Sequence, residues 1–205
     1  MKANIFFTTF ILGLIFIGCD KTDDAEVTVT TADTTVTVTA PGSFVYNGVE
    51  YKMGTAQYKS YTHETDSSGK FHSIILLGAG MQMGNGGNVI IGTGPVLYIT
   101  IKSAAANTIE GDFTKNPTWS DPNDAKTAPI NSTQFITVAF YNNGTESKSD
   151  YIGGDTKTMT TSTISKASNG DYVIKMECTG EGEVEGVKST GKALTINFTG
   201  TLGTY

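Results

Sequence analysis

The stretch Tyr172–Cys178, which reads YVIKMEC, gives the clearest indication of the fold class. Lys175 and Glu177 share one face of an extended backbone, and the apolar residues from Ile174 to Cys178 share the other. The segment Lys192–Leu202, KALTINFTGTL, repeats this alternation. Successive side chains of a strand point to opposite faces, so the pattern indicates an antiparallel sheet with one face on a core and one in water.

Turn signals place further strands upstream of these two. Asn47-Gly48 separates two short apolar segments, and Asn142-Asn143-Gly144 closes a strand at Gln134–Tyr141. Asn-Gly accepts the positive φ angles that a two-residue hairpin needs. No window of eleven or more residues has a helical period. We therefore predict an all-β fold, an antiparallel β-sandwich, with a closed calycin-like barrel as the alternative. Other predicted strands are Phe71–Leu77, Val89–Ile91, Val96–Ile101 and Lys157–Lys166.

The N-terminus has the organisation of a secretory signal. Lys2 supplies a positive charge, Ile5–Ile17 is mainly apolar, and Gly18 precedes Cys19. The run is shorter than the ~20 apolar residues of a membrane span. A small residue before a Cys resembles the lipobox of bacterial lipoproteins, in which the Cys becomes the lipidated first residue. We predict a signal peptide at 1–18 and a lipid on Cys19, the alternative being an ordinary cleavage site nearby.

Charge and cysteine content limit the possible partners. The chain has 14 basic and 20 acidic residues, and loss of a leader containing Lys2 would increase the acidic excess. Such a balance argues against nucleic acid, whose recognition requires a basic patch. With Cys19 acylated, Cys178 could form no internal disulfide. Its position on the apolar face predicts that Cys178 is buried and unreactive.

Residues 19–42 are predicted to be a Thr-rich tether before a single β domain at 43–205. Val and Thr alternate in Val27–Thr31 and in Val36–Thr39. A disordered stalk and an added edge strand both remain open, because the alternation favours a strand but offers little apolar area. Asp33-Thr34-Thr35 resembles the O-glycosylation acceptor triplet of Bacteroidota, which makes Thr34 a candidate glycosylation site.

Neither catalytic nor metal-binding patterns are apparent. His63 and His72 flank a predicted turn at Asp66–Gly69, and a four-residue turn would bring their Cβ atoms within ~5 Å of each other. A loop one residue different in length would instead pair His72 with Glu64. Two ligands make an incomplete metal site, so we expect an exposed pair without a role. We also expect the acidic residues at 177–185 to form a solvated sheet edge, not a calcium site.

Trp119 is the single Trp of the chain and lies in a long irregular segment, Gly111–Thr133. Structureless segments beyond ~12–15 residues are uncommon and often functional. Pro117 and Pro122 bracket the Trp and restrict the backbone. Two interpretations remain open: Trp119 contacts a sugar or a small ligand, or it folds back and plugs the open end of the β domain.

The chain is similar to small all-β lipoproteins of unknown function from Bacteroidota. The similarity rests on Cys19-Asp20-Lys21, on the opening Phe44–Gly48, and on the closing Asn169–Ile174 and Asn197–Leu202. It implies a β-sandwich, lipid-anchored in the outer membrane of the bacterial cell envelope, on the periplasmic side or the cell surface. Since no Ser–His–acid set or carboxylate pair is recognisable, we expect no enzyme, cofactor or metal.

The expected function is that of a non-enzymatic binding module. Its expected partners are a membrane, through the lipid on Cys19, and a glycan or a small molecule. The alternatives are a structural or adhesive surface protein, which would need an open strand edge, and a calycin-like carrier, which would need a lined cavity.

Overall fold

The computed structural model describes residues 26–31, 34–39, 41–63, 66–84, 89–104, 108–114, 129–184 and 187–205. The predicted signal peptide at 1–18, Cys19, Glu64 and Trp119 lie outside these ranges. Strands and short connections make up the described residues, and nearly all ladders are antiparallel. The prediction of an all-β antiparallel fold is confirmed.

Fourteen strands follow one another along the described chain. Their bounds are β1 Glu26–Thr31, β2 Thr34–Thr39, β3 Gly42–Tyr46, β4 Val49–His63, β5 Asp66–Gly78, β6 Gln82–Met83, β7 Ile90–Ile91, β8 Gly94–Ser103, β9 Gly111–Asp112, β10 Ser132–Asn142, β11 Thr145–Lys166, β12 Tyr172–Val184, β13 Val187–Gly200 and β14 Leu202–Thr204.

Eight strands of the large, curled ten-stranded sheet follow one another in the order β3, β4, β5, β8, β10, β11, β12 and β13. Each strand pairs antiparallel with the next one in that order. β13 then pairs antiparallel with β3, so the ladders return to their starting strand. This connectivity is a barrel-like meander, as in the alternative architecture predicted from the sequence. We call these eight strands the ring.

Two Asn-Gly turns fix the register of ring hairpins, as predicted. Asn47 and Gly48 have φ angles of 49° and 80°, and Asn143 and Gly144 have the same pair of values. The flanking residues pair directly, for example Tyr46 with Val49. Positive φ at both central residues gives a turn whose twist matches that of the strands.

The predicted turn at Asp66–Gly69 is wrong. These residues belong to β5, and the backbone of His63 pairs with that of Asp66. The ladder with β4 therefore begins at Asp66, within sequence that reads locally as a turn, and the ladder with β8 begins at Lys70. Tertiary pairing therefore outweighs the local preference of Ser and Gly here.

The inward face of the ring carries the main core. Each of the eight strands contributes buried apolar side chains, among them Phe44, Met53, Ile74, Leu97, Ile136, Ile152, Ile174 and Ile196. The predicted alternation of β12 is confirmed, because Ile174, Met176 and Cys178 are buried while Lys175 and Glu177 are exposed. Burial of Cys178, at 2% exposure, is likewise confirmed.

A segment between β8 and β10 packs into the main core. Ile109 and Phe113 are 1% and 0% exposed and join the main core. The Phe113 amide donates a hydrogen bond to the Ser162 carbonyl over 2.7 Å. β9 pairs with β11 at Gly111 and Asp112, which holds this plug segment, residues 108–114, against the ring.

The predicted tether contains a separate hairpin. β1 and β2 pair with each other along their length and form a two-stranded sheet outside the ring, so they add no strand to its edge. Thr34 is the first residue of β2 and pairs with Thr31. β3 begins at Gly42, one residue before the predicted domain boundary. Within the described ranges, no helix has the length and hydropathy to cross a membrane.

Candidate functional site

A groove of about 700 Å³ lies on the outer face of the ring, over β4, β5, β8, β10 and β11. We call it the outer groove. Its aromatic lining is Tyr61, Tyr98, Phe135 and Tyr205, and its polar lining is Lys59, Ser73, Thr100, Thr137, Glu146 and Ser149. The volume falls within the ~300–1,000 Å³ of small-molecule sites, and a groove of this lining offers both ring faces and hydrogen-bonding groups.

Cross-strand register brings the floor of the outer groove together. Lys59 pairs with Ser73, and Ser73 pairs with Thr100 on the next strand. Thr100 pairs in turn with Phe135 of β10. Residues directly opposite one another share a face of the sheet. The floor is therefore a row of one cation, two hydroxyls and one aromatic ring across four strands.

The C-terminal strand supplies one wall of the outer groove. β14 pairs in parallel with β4 at Ala56–Tyr58, and this pairing carries Tyr205 over the outer face. The Tyr205 hydroxyl donates a hydrogen bond to Ser73 Oγ over 3.1 Å. The Lys59 ammonium lies 6.0 Å from the centre of the Tyr205 ring, at the limit of a cation–π contact. Both contacts orient the ring along the groove.

A hydrogen-bonded chain of hydroxyls borders the outer groove on another side. The Tyr98 and Tyr141 hydroxyl oxygens are 2.8 Å apart, and Tyr141 donates to Glu146 Oε2 over 3.3 Å. Tyr98 therefore donates to Tyr141, and its own oxygen still accepts hydrogen bonds. Burial raises the pKa of Tyr98 and that of Tyr141. Both phenols stay protonated at neutral pH, which preserves this chain.

A second, smaller pocket of about 350 Å³ adjoins the outer groove. We call it the hairpin pocket because β6 and β7, which pair through Gln82–Ile91 and Met83–Ile90, cover it. Its lining consists of Ile75, Met83, Val89, Ile90, Tyr98, Tyr141 and Gly144. The Gly144 amide donates to the Gly92 carbonyl over 2.8 Å, which ties the β10–β11 turn to this cover.

An ion pair is buried inside the ring, away from the outer groove. Asp150 is 2% exposed, and its Oδ2 lies 3.2 Å from Lys192 Nζ and accepts a hydrogen bond from the Tyr46 hydroxyl. Burial and the adjacent Asp150 raise the pKa of Tyr46. Asp150 Oδ1 has no hydrogen-bond partner among the described residues. The negative charge of the buried Asp150 carboxylate therefore depends on the Lys192 ammonium group for compensation.

The expectation of an exposed histidine pair is wrong for His72. His72 is fully buried, and its backbone pairs with Ser60, not with His63 or Glu64. Its Nδ1 lies 2.7 Å from Ser60 Oγ and its Nε2 lies 2.8 Å from Ser103 Oγ. The register error follows from the mistaken turn at Asp66–Gly69. Two hydroxyl partners satisfy a neutral imidazole, which is a structural role.

Acid should destabilise the protein through His72. Burial lowers the pKa of His72 from 6.5 to about 4. The unfolded chain binds a proton below pH 6.5 while the folded state does not, so the free energy of unfolding falls between pH 6.5 and 4, by about 3 kcal/mol from this group.

Urea unfolding of the wild type and of His72→Gln across this pH range measures that contribution. The variant should start less stable at pH 7 and lose less stability on acidification. His63→Gln, at the other histidine of the chain, is the matched control and should keep the wild-type slope. If the free energy of unfolding has the same pH dependence in the wild type and in His72→Gln, the pKa of His72 does not differ between the folded and unfolded states.

The acidic residues of β12 do not lie at a sheet edge, contrary to expectation. β12 pairs with β11 on one side and β13 on the other, and Glu177 lies opposite Thr161 and Thr195. Glu177 is exposed on the outer face of this inner strand. In the described part of the chain, no three His, Cys, Asp or Glu side chains are grouped as metal ligands.

The predicted site residues and the groove residues are different sets. Cys19 and Trp119 lie outside the described residues, and Thr34 lies in the separate β1–β2 hairpin. Sequence reasoning missed the outer groove, although one signal was present. Tyr98 and Thr100 alternate with Leu97, Ile99 and Ile101, so an aromatic and a hydroxyl face outward from one strand.

Comparison of the chain with protein-family models, with curated proteins and with solved structures gave no match.

Proposed function

We propose that this protein is a lipid-anchored binding module of the bacterial cell envelope that binds a carbohydrate in its outer groove. The single observation behind this proposal is the aromatic and hydroxyl lining of that groove. Sugar rings have an apolar face that stacks on aromatic side chains, and a rim of hydroxyls that exchange hydrogen bonds with polar ones. Tyr98, Phe135 and Tyr205 supply ring faces, and Thr100, Ser149 and Glu146 supply polar partners.

Binding is favoured over hydrolysis of the sugar. Glycosidases use two carboxyl groups on either side of the scissile bond. Among the described residues that line the outer groove, Glu146 alone carries a carboxylate. Its Oε2 already accepts a hydrogen bond from Tyr141, which orients the carboxylate as an acceptor for ligand hydroxyls.

The other functions predicted from the sequence receive less support. An apolar carrier needs room inside the ring, whereas the inward face there holds large buried side chains such as Phe44, Met53 and Phe113. Strand addition to a partner needs an open edge, whereas each of the eight ring strands has a ladder partner on both sides over at least part of its length.

Phe135→Ala should weaken carbohydrate binding at least tenfold, because it removes one aromatic face of the outer groove and about 1.4 kcal/mol of binding free energy. The probe is a printed array of bacterial, plant and animal glycans, followed by titration of the strongest binder. Val49→Ala, at an exposed position at the start of β4, is the control and should bind as the wild type does. Equal binding by wild type and Phe135→Ala would reject the outer groove as the site.

Cys19→Ser should abolish fatty-acid labelling of the protein. Cells grown with an alkyne fatty acid would label the wild type, and Cys178→Ser is the matched control because these are the two Cys residues of the chain. Two or more acyl chains hold a protein at a membrane firmly, at ~0.8 kcal/mol per buried methylene, so the unlabelled variant should also leave the membrane fraction. Label retained by Cys19→Ser, or lost by Cys178→Ser, would contradict the anchor.

A further inference from the structure

We infer that the outer groove and the hairpin pocket form one site for an amphiphilic glycoside, with the sugar in the groove and an alkyl or acyl chain in the pocket. This inference rests on the proposed function, since it assigns the sugar end to the outer groove. It adds the ligand class: a carbohydrate with an apolar substituent, not a free oligosaccharide.

The two cavities share a wall. Tyr98 lines both of them, and its hydroxyl is hydrogen-bonded to that of Tyr141, which lines the hairpin pocket. A ligand lying across the Tyr98 ring therefore reaches both cavities at once. The phenol ring presents an apolar surface to a chain, and its hydroxyl presents an acceptor to the sugar.

The two cavities differ in chemistry. The outer groove contains Lys59 and Glu146, whereas the described lining of the hairpin pocket has no charged side chain. Ile75, Met83 and Ile90 form its apolar surface. This difference fixes the orientation of a bound amphiphile. The charged residues of the outer groove disfavour an alkyl chain there, and the apolar hairpin pocket would leave sugar hydroxyls without hydrogen-bond partners.

The cover of the hairpin pocket exposes apolar side chains. Val89 and Ile91 are 55% and 45% exposed, and they flank the buried Ile90 in the same hairpin. Val89 also lines the pocket, so a chain bound there would remove part of its surface from water. Burial of each methylene contributes ~0.8 kcal/mol when it is complete. An alkyl chain in the hairpin pocket would therefore contact Val89, and each methylene that it buries there would strengthen binding.

The test is a calorimetric titration with methyl, butyl, hexyl and octyl β-D-glucoside, each below its micelle concentration. The protein is the full chain carrying Cys19→Ser, handled without detergent. We expect affinity to rise at least twofold per added methylene from methyl to octyl. Val89→Asp should reduce the gain in affinity per added methylene, because it places a negative charge at the hairpin pocket. The same substitution at Val49, which is 51% exposed elsewhere, is the matched control and should leave the rise intact.

The outcomes separate this inference from the proposed function. Affinity that is independent of chain length but lowered by Phe135→Ala would overturn the amphiphile and leave the sugar site standing. Affinity that rises with chain length but is not lowered by Phe135→Ala would overturn the sugar site and with it the two-part ligand. An equal rise in wild type and Val89→Asp, or no binding of any glucoside, would also overturn the inference.

Discussion

Phe113→Ala should lower the free energy of unfolding by about 3–5 kcal/mol, the usual cost of deleting a buried aromatic side chain. Phe113 is fully buried in the main core and belongs to the plug segment. A Cβ added at Gly111 would lie 3.0 Å from the Phe113 ring, so the backbone packs closely on it. Such packing limits the collapse of the cavity that the substitution leaves.

Urea unfolding monitored by circular dichroism measures this effect, with Phe135→Ala as the matched control. Phe135 lies in the outer groove and is partly exposed. Phe135→Ala should cost much less stability but weaken carbohydrate binding. Phe113→Ala should lower stability and leave carbohydrate binding by the folded protein unchanged. A loss below about 1 kcal/mol for Phe113→Ala would mean that the plug segment does not support the fold.

Lys192→Met should cost about 3 kcal/mol of folding stability. It removes the cation beside the buried carboxylate of Asp150, and an uncompensated buried charge typically costs 3–5 kcal/mol. The Lys192 side chain is 22% exposed, so solvent reduces the expected loss toward the lower value. The Tyr46 hydroxyl remains as a hydrogen-bond donor to Asp150 in the variant.

Two further variants separate charge compensation from packing. Lys175→Met, on the exposed face of β12, should change stability by less than about 0.5 kcal/mol. The double variant Lys192→Met with Asp150→Asn should be more stable than Lys192→Met alone, because the buried charge is gone. If the double variant is no more stable than the single one, the aliphatic stem of Lys192 contributes more than its charge.

Local sequence patterns predicted the parts of the fold that depend on near neighbours. The alternation in Tyr172–Cys178 predicts the buried face of β12, since period two follows directly from strand geometry. Asn47-Gly48 predicts its hairpin because few other residue pairs accept two positive φ angles. The burial of Cys178 follows from the same alternation.

Features that depend on contacts between residues far apart in the sequence could not be predicted from local patterns. His72 is buried because Ser60 and Ser103, at separations of 12 and 31 residues, supply hydroxyl partners. The pairing of β5 with β8, which places His72 opposite Ile101, is likewise not contained in the local sequence.

The outer groove combines side chains from β4, β5, β8, β10 and β11 with Tyr205. The hydrogen-bond partner of Tyr205, Ser73, lies 132 residues away in sequence. No local pattern contains such an arrangement, although the outward-facing Tyr98 and Thr100 indicated that this face of the sheet is unusual.

A crystal structure of the protein with its strongest array binder would locate the bound carbohydrate. We expect the sugar ring to stack on Phe135 or Tyr205 within the outer groove, with a sugar hydroxyl in hydrogen-bond distance of the Tyr98 oxygen or of Glu146. Electron density for the ligand inside the ring, or at a surface remote from β8 and β10, would contradict the assignment of this groove as the binding site.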